Sequence, residues 1–219
     1  MERKGFTLIE VLIALFVIGV VASLTLPNVS KNSSKKTYVS QLSEVHKAFS
    51  HAINQVLIDE REVSLADTIM AESAGDFLRK YMQIEVDCGA GDDSNCMASS
   101  YKSLDGNSST SHSNIISNKL YCVKTVPGAV ICMKNMSEDS GSIHGFSQVI
   151  VDINGQKKPN TNGRDLFQFE IYSDGKIGNG HELIEYKTSG KHCEDYADTA
   201  GYGGSCFQKI VADGWNMDY

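Results

Sequence analysis

Residues 2–27 read ERKGFTLIEVLIALFVIGVVASLTLP, and this stretch decides how the rest of the chain is organised. Phe6–Leu26 is a run of twenty-one mainly apolar residues with one charged side chain inside it, Glu10. A helix of that length spans roughly 31 Å, which matches the hydrocarbon core of a bilayer. Because Arg3 and Lys4 precede the run, we expect a cytoplasmic amino-terminal tail and the remaining chain on the far side of the membrane.

The glutamate inside this run needs an explanation. A secretory signal peptide has a shorter apolar region followed by a small-residue cleavage site, whereas this run reaches full spanning length. A carboxylate in such a helix costs about 2.5–3.5 kcal/mol on insertion scales and therefore calls for a partner. No Lys, Arg or His lies within the run to pair with Glu10. The alternative is that Glu10, one turn from the cytoplasmic end, reaches the headgroup region.

The segment Gly5-Phe6-Thr7-Leu8-Ile9-Glu10 resembles the processing site of type IV prepilins and of type II secretion pseudopilins. The resemblance implies that a prepilin peptidase cuts between Gly5 and Phe6 and that Phe6 becomes the N-methylated first residue. It also implies a partner for Glu10, namely the amino terminus of a neighbouring subunit in an assembled fibre. Pairing of this kind is what makes a carboxylate tolerable in an apolar bundle.

Two further residues of the segment match the same family. Gly19 and Pro27 fall where many of its members carry a helix-loosening glycine and a proline. The resemblance is specific over the first thirty or so residues and is one of architecture beyond them.

The chain is expected to divide into a cytoplasmic leader peptide and two further parts. Residues 1–5 form the leader, 6–26 the transmembrane or fibre-core helix, and 27–219 an extracytoplasmic globular domain. Residues 27–58 continue the long helix as its amphipathic half, and Pro27 should kink or locally melt it. One apolar stripe at helical spacing marks that half: Val39, Leu42, Val45, Phe49, Ile53 and Val56.

The expected fold class is α+β. An antiparallel sheet laid over the amphipathic half of the helix is the simplest way to cover both apolar surfaces. This is also the type IV pilin-like architecture that the resemblance implies, with disulfide-stapled loops.

All six cysteines follow the membrane segment: Cys88, Cys96, Cys122, Cys132, Cys193 and Cys206. An even number on the non-cytoplasmic side indicates three disulfides. No pair has the two-to-four-residue gap of a zinc knuckle, which disfavours zinc. Proximity in sequence favours Cys88–Cys96, Cys122–Cys132 and Cys193–Cys206.

The middle of the chain predicts a second helix, a loop and a hairpin. The helix covers Ser64–Met82 and weakens around residues 72–76, where it can split in two. The polar stretch 87–118 is expected to be an irregular surface loop. Leu120–Val126 and Ala129–Met133 flank a turn, and a three-residue loop with Gly128 in the left-handed conformation places Cys122 opposite Cys132.

Further strands are expected at 148–153 and 166–173. Asp174-Gly175 turns the latter strand back, and 181–186 can add an edge strand. The tail 193–219 is expected to be a loop closed by its disulfide, with Trp215 packed against the sheet edge. The histidines His46, His51 and His112 are interpreted as solvated or exposed.

The loop between the third and fourth strands resembles a D-x-N-G…P-N…G-x-D stretch of bacterial pilin-like proteins. Asp152, Asn154 and Asp165 offer oxygen ligands, and some pseudopilins bind calcium, so we consider calcium at these residues. The stretch is not an EF-hand, because its glycine comes two residues early and no Glu stands at the twelfth position. The alternative is that Asp152 and Asn154 bond backbone amides of their own loop. No other cofactor is expected.

Composition and motifs indicate a structural subunit rather than an enzyme. The formal charge of −7 gives no support to nucleic-acid binding. Ser, His and Asp do not occur in the setting of a nucleophile elbow, and the cysteines are expected to be paired in disulfides rather than reactive. We therefore expect a pilin of a type IV pilus-like fibre, first held in the bacterial inner membrane by lipid and then in the periplasm or a surface pilus.

Its expected partners are copies of itself, the prepilin peptidase and N-methyltransferase, and the inner-membrane assembly platform of a pilus or type II secretion system. Two alternatives stay open. One is a type II secretion pseudopilin, and the other is a minor tip pilin for adhesion or DNA uptake.

Overall fold

The computed structural model describes residues 5, 7–91, 96–111, 115, 120–135, 147–178, 193 and 204–219, without the side chains of 22–33, 204 and 205. The chain divides into two units, Met1–Thr37 and Tyr38–Tyr219. The predicted edge strand at 181–186 and His112 lie outside the described residues.

Helix α1 spans Leu8–Glu60, which confirms the prediction of one long amino-terminal helix. It continues through Pro27, so of the two predicted effects of this residue local melting is wrong, and a kink stays a prediction. Proline removes a single backbone hydrogen bond, and the remaining bonds of a helix of 53 residues hold it on both sides.

The second half of α1 presents the predicted apolar stripe. All six of its residues are buried: Val39, Leu42, Val45, Phe49, Ile53 and Val56. They share one hydrophobic core with inward-facing residues of the sheet, among them Val149 and Phe169. The Phe49 and Phe169 rings meet edge to face, with centroids 5.6 Å apart.

The predicted helix over Ser64–Met82 is broken into shorter pieces. Three elements occupy its place: a 3₁₀ helix Leu65–Asp67, α2 Ile69–Glu72 and α3 Ala74–Tyr81. Ser64, Thr68 and Ser73 precede them in extended conformation, and each side-chain oxygen accepts a backbone N–H of the piece that follows. Each hydroxyl therefore acts as an N-cap that restarts the helix. One of the two breaks lies where the sequence weakened.

Eight strands form two antiparallel sheets in the described residues. The six-stranded sheet has the order β1 (Ile84–Ala90), β4 (Tyr121–Thr125), β5 (Val130–Asn135), β6 (Ser147–Asp152), β7 (Leu166–Ile171) and β8 (Ile177–Gly178). The two-stranded sheet pairs β2 (Ser100–Lys102) with β3 (Ser109–Ser111). An amino-terminal helix packed on an antiparallel sheet confirms the α+β fold class.

The β4–β5 hairpin has the predicted register. Cys122 lies opposite Cys132. Gly128 has φ +97° and its N–H donates to the Thr125 carbonyl at 2.8 Å. Residues 126–128 therefore form the three-residue loop with a left-handed glycine that the cysteine spacing required.

The described parts of the stretch 87–118 do not form the irregular surface loop that its polar composition predicted. They contribute the end of β1 and both strands of the small sheet. Met97, Ala98 and Tyr101 are buried in a second hydrophobic core that also contains the Cys122–Cys132 disulfide. Alternate residues of a strand point to opposite faces of the sheet. Side chains of β4 and β5 therefore pack into the core beneath α1 on one face and into this second core on the other.

The carboxyl-terminal region contains a helix rather than only the expected closed loop. Helix α4 spans Gly204–Ala212. The ring of Phe207 lies 4.8 Å from that of Phe169, and the Trp215 ring lies 5.2 Å from that of His46. His46 is half-buried rather than solvated, and burial lowers the pKa of its imidazole.

Candidate functional site

Thr7 and Glu10 form a reciprocal hydrogen-bonded pair at the start of α1. The backbone N–H and the hydroxyl of Thr7 donate to Glu10 Oε2 at 2.7 and 2.8 Å. The backbone N–H of Glu10 donates to Thr7 Oγ1 at 3.4 Å. This is a capping box, with Thr7 at the N-cap and Glu10 three residues later. The T-x-x-E pattern of a capping box is visible in the sequence. Our sequence analysis considered only the charge of Glu10 and did not predict the cap.

The capping box gives the Glu10 carboxylate local partners within its own chain. It also holds the negative charge at the positive end of the helix dipole. The predicted pairing of Glu10 with the amino terminus of a neighbouring subunit stays a prediction. A carboxylate fixed in this way has one orientation at the helix start, so a neighbouring amine would meet it in a defined position.

The predicted processing residues, Gly5 and Phe6, precede this cap in the sequence. Gly5 is exposed, and a Cβ placed on it would meet nothing within 4 Å. Phe6 lies outside the described residues, as do residues 1–4. Cleavage between Gly5 and Phe6 stays a prediction, with which the exposure of Gly5 is compatible.

The first turns of α1 expose apolar side chains all round. Eleven large hydrophobic residues are exposed: Leu8, Ile9, Val11, Leu12, Ile13, Leu15, Phe16, Val17, Ile18, Val20 and Val21. Leu8 is 82% exposed and Phe16 is 73% exposed. Gly19 lies among them, and a Cβ on it would also meet nothing within 4 Å. Soluble monomers rarely expose a contiguous apolar surface of this size, which marks an interaction site.

A search of the described residues found no helix that is long and apolar enough to cross a membrane.

All three predicted disulfides are present. Cys88 pairs with Cys96, Cys122 with Cys132, and Cys193 with Cys206. None of the six cysteines is free. The bridges close loops in the unit Tyr38–Tyr219, and such closures stabilise a small domain chiefly by restricting its unfolded state.

The loop after β6 brings together the three oxygen-bearing residues singled out in the sequence. Asp152 ends β6, and the N–H of Ile153 donates to the Asp165 carbonyl at 2.9 Å, which closes the loop. The Asp165 carboxylate accepts the N–H groups of Asn160 at 2.7 Å and Thr161 at 2.6 Å. A hydrogen bond from the Asn154 side chain also lowers the pKa of Asp165 against the larger, opposing effect of burial. We call Asp152, Asn154 and Asp165 the loop cluster.

A tyrosine from the small sheet completes the loop cluster's surroundings. Tyr101 is buried, and its hydroxyl donates a short hydrogen bond to Asp152 Oδ2. The Tyr101 hydroxyl accepts the N–H of Ala98 at 3.1 Å, and Asp152 Oδ1 accepts the N–H of Asn154 at 3.1 Å. Nothing in the sequence pointed to Tyr101, because it lies in a polar stretch that predicted a surface loop.

Burial governs the charge of this cluster. Burial, with a smaller contribution from the neighbouring Asp165 carboxylate, raises the pKa of Asp152 to about 7 against the opposing effect of the Tyr101 hydrogen bond. Burial also raises the pKa of Asp165 above its usual range. Two carboxyl groups this close in a dry environment disfavour simultaneous ionisation.

The alternative that Asp152 and Asn154 bond backbone amides of their own loop is supported for Asp152, which accepts the N–H of Asn154, and not for Asn154, whose side-chain oxygen has no hydrogen-bond partner. A calcium ion would use oxygens of Asp152 and Asp165 together with amide oxygens of Asn154 and Asn160, which are buried without a hydrogen-bond partner. Four protein ligands are fewer than the six to eight that calcium takes, so water would supply the rest. No group of three or more His, Cys, Asp or Glu side chains suited to a metal occurs in the described part of the chain.

Calcium at the loop cluster therefore stays a prediction. If calcium binds, adding it at pH 8 raises the midpoint of thermal unfolding, because a ligand that binds only the folded state stabilises it. Asp165→Asn, which keeps one acceptor oxygen, removes that increase. Magnesium at the same concentration is the control. An unchanged midpoint for the wild-type protein contradicts calcium binding.

Comparison with known proteins gives one match. The prokaryotic N-terminal methylation motif, as a family profile, matches residues 1–26. No curated protein and no solved structure gives a significant match. The matched segment is the signature of type IV pilins and pseudopilins, and it contains Gly5, Phe6, the capping box and the exposed apolar side chains of α1.

Proposed function

We propose that this chain is a structural subunit of a type IV pilus-like fibre, cleaved after Gly5 and assembled through the amino-terminal part of α1. The observation that carries the proposal is the exposed apolar surface of residues 8–21, which lies within the match to the methylation motif. Lipid covers such a surface before assembly, and the same surfaces of identical subunits cover it in the fibre. The methylation motif points to a structural subunit and not to an enzyme.

The proposal also names the proteins that act on this chain and the compartments in which the chain lies. The prepilin peptidase and its methyltransferase activity act on the exposed Gly5 segment at the inner membrane. An inner-membrane assembly platform then stacks the subunits, and the unit Tyr38–Tyr219 lies on the far side of the membrane. Its three disulfides support that side, because disulfides form and persist in oxidising compartments.

A pseudopilin of a type II secretion system is the second candidate, because the matched motif is shared by both kinds of protein. A pilin and a pseudopilin differ in the compartment where the assembled material is found. A pilin accumulates in fibres sheared from the cell surface, whereas a pseudopilin stays in the periplasm. A minor subunit at a fibre tip, serving adhesion or DNA uptake, would be found in sheared fibres at low stoichiometry.

Mass spectrometry of assembled material tests the shared part of the proposal. We expect the first residue to be Phe6, heavier by one methyl group, with residues 1–5 absent. Full-length chain from cells lacking prepilin peptidase is the control and should retain Met1. Assembled material that still carries residues 1–5 contradicts the proposal.

A further inference from the structure

The turn between β2 and β3 presents an exposed asparagine. Residues 103–108 join the two strands, and Asn107 lies among them. Residues 105–109 are all exposed. The sequence Asn107-Ser108-Ser109 has the form N-x-S, with a residue other than proline in the middle, which is the acceptor pattern for N-linked glycosylation. Such a pattern needs a surface loop on the non-cytoplasmic side of the membrane, and this turn is one.

The pattern occurs at four places in the chain, and the structure separates them. It begins at Asn28, Asn32, Asn107 and Asn135. Asn28 and Asn32 lie within helix α1, where residues two positions apart do not face each other. Asn135 ends β5 and is partly buried, and its side-chain amide donates to the Ala71 carbonyl at 2.6 Å. Of the four asparagines, Asn107 is the one in an exposed turn.

A carboxylate holds the Asn107 side chain. The Asn107 amide nitrogen donates a short hydrogen bond to Asp105 Oδ2, and the Asn107 backbone N–H donates to Asp105 Oδ1 at 2.9 Å. Gly106 between them has φ +79°, a conformation that glycine adopts without strain. No Asp or Glu stands two residues before any of the other three asparagines. Asn107 therefore differs from them in chemistry as well as in exposure.

The carboxylate answers the chemical difficulty of this modification. The nitrogen of an amide is a weak nucleophile, because its lone pair is delocalised into the carbonyl group. A base that takes a proton from the nitrogen makes it a better one, and such a base must lie within hydrogen-bond reach of that proton. Asp105 Oδ2 already accepts the hydrogen bond from Asn107 Nδ2. Ser109 supplies the hydroxyl that the acceptor pattern has two positions after the asparagine.

We propose that Asn107 is an N-glycosylation site whose donor is an oligosaccharide joined to a membrane polyprenol through pyrophosphate. Asn107 Nδ2 forms a bond to the anomeric carbon of the first sugar, the bond from that carbon to the phosphate oxygen breaks, and the lipid pyrophosphate leaves with the electron pair. The proton lost by Nδ2 passes to a carboxylate, for which Asp105 is in position. An oligosaccharyltransferase catalyses the transfer.

The modification goes beyond the proposed fibre function. It shares with that function only the placement of the unit Tyr38–Tyr219 outside the cytoplasm, which the three disulfides support.

Mass spectrometry of the full chain purified from its own cells tests the site. Trypsin cuts after Lys102 and Lys119, so Asn107 lies in the peptide 103–119. We expect electron-transfer fragmentation to place an oligosaccharide on Asn107, and the peptide that begins at Asn135 to be unmodified. Bare Asn107, or sugar carried only by the serines and threonines of that peptide, overturns the proposal.

Transfer to the purified chain measures the role of Asp105. The chain in detergent micelles is incubated with a bacterial oligosaccharyltransferase and a polyprenyl-pyrophosphate oligosaccharide. Asp105→Asn should lower the initial rate of transfer at least about a hundredfold, which is the low end of what a positioned base contributes. Asp105→Glu keeps a carboxylate and should retain most of the rate. Equal rates for the asparagine and glutamate variants overturn the role of Asp105.

Asn107→Gln separates this site from the assembly of fibres. The variant should lose the oligosaccharide, whereas cleavage after Gly5 should be unchanged, because the methylation motif at residues 1–26 does not include this turn. Processed fibres whose Asn107 is bare in the wild-type protein contradict the glycosylation alone. A chain that carries sugar on Asn107 and still has residues 1–5 in assembled material contradicts the fibre function alone.

Discussion

Replacing Glu10 by leucine is expected to abolish ordered assembly. If Glu10 neutralises the amino terminus of a neighbouring subunit in an apolar bundle, the leucine leaves that amine buried and unpaired. Breaking a buried ion pair costs about 3–5 kcal/mol, which corresponds to a loss of more than about a hundredfold in subunit affinity. Leucine also removes the two hydrogen bonds that the Glu10 carboxylate accepts from Thr7. Negative-stain microscopy and the yield of sheared fibres measure the effect.

Glu10→Gln is the matched control for the two roles of this residue. Glutamine also serves as the last residue of a capping box, so the bonds to Thr7 can form again while the charge is lost. If the charge sets the register, Glu10→Gln fails to assemble, and Thr7→Val, which weakens the cap and keeps the charge, assembles. Normal fibres from Glu10→Gln contradict the charge role and leave capping as the function of Glu10.

The free energy of unfolding is expected to fall as pH rises from about 4 to about 7. The pKa of an aspartate in an unfolded chain is about 3.9. In the folded protein, burial is the main cause that raises the pKa of Asp152 to about 7. Between these values the folded state holds a proton that the unfolded state has lost, so stability declines through this window. The shift of about three pKa units corresponds to a decline of up to about 4 kcal/mol. The raised pKa of Asp165 acts in the same direction.

Asp152→Asn should flatten most of this slope. The asparagine oxygen can still accept the N–H of Asn154, and its amide can donate to the Tyr101 hydroxyl. Urea unfolding at half-unit steps between pH 4 and 8 gives the slope for each protein. Stability that rises with pH in the wild-type protein, or an equally steep decline in Asp152→Asn, contradicts the assignment.

Three described carboxylates with a lowered pKa do not mask this slope. Hydrogen bonds to Arg79, Tyr121 and Lys176, respectively, lower the pKa of Asp76, Asp87 and Asp174 below its usual range. Their contribution is present above about pH 4 and is lost only at lower pH. All three are exposed, so solvent screens their effect on stability.

Features set by neighbours along the chain were predictable. The stripe from Val39 to Val56 follows from helical spacing alone, and the turn at Gly128 follows from the loop length that two cysteines permit. The Glu10 segment was recognisable for the same reason, since six consecutive residues carry the motif. The contact between Glu10 and Thr7 within this segment was nevertheless not predicted, because the sequence analysis considered only the charge of Glu10.

Features set by distant partners were not predictable. Tyr101 lies in a stretch whose composition resembles a surface loop, and its burial depends on a sheet face that includes the distant residues Cys122, Cys132 and Ile150. The loop cluster shows both cases, because its oxygens are visible in the sequence while the desolvation that raises the pKa of Asp152 is not.

The sequence by itself determined the apolar helix, its methylation motif and the α+β class, and it favoured the disulfide pairs that the structure shows. Each of these depends on the order and spacing of nearby side chains. Only the tertiary structure decided that the sheet is covered on both faces, that Ser64, Thr68 and Ser73 divide a helix, and that α4 closes the tail. Those outcomes depend on which surfaces exclude water from one another, and that is fixed only when remote segments meet.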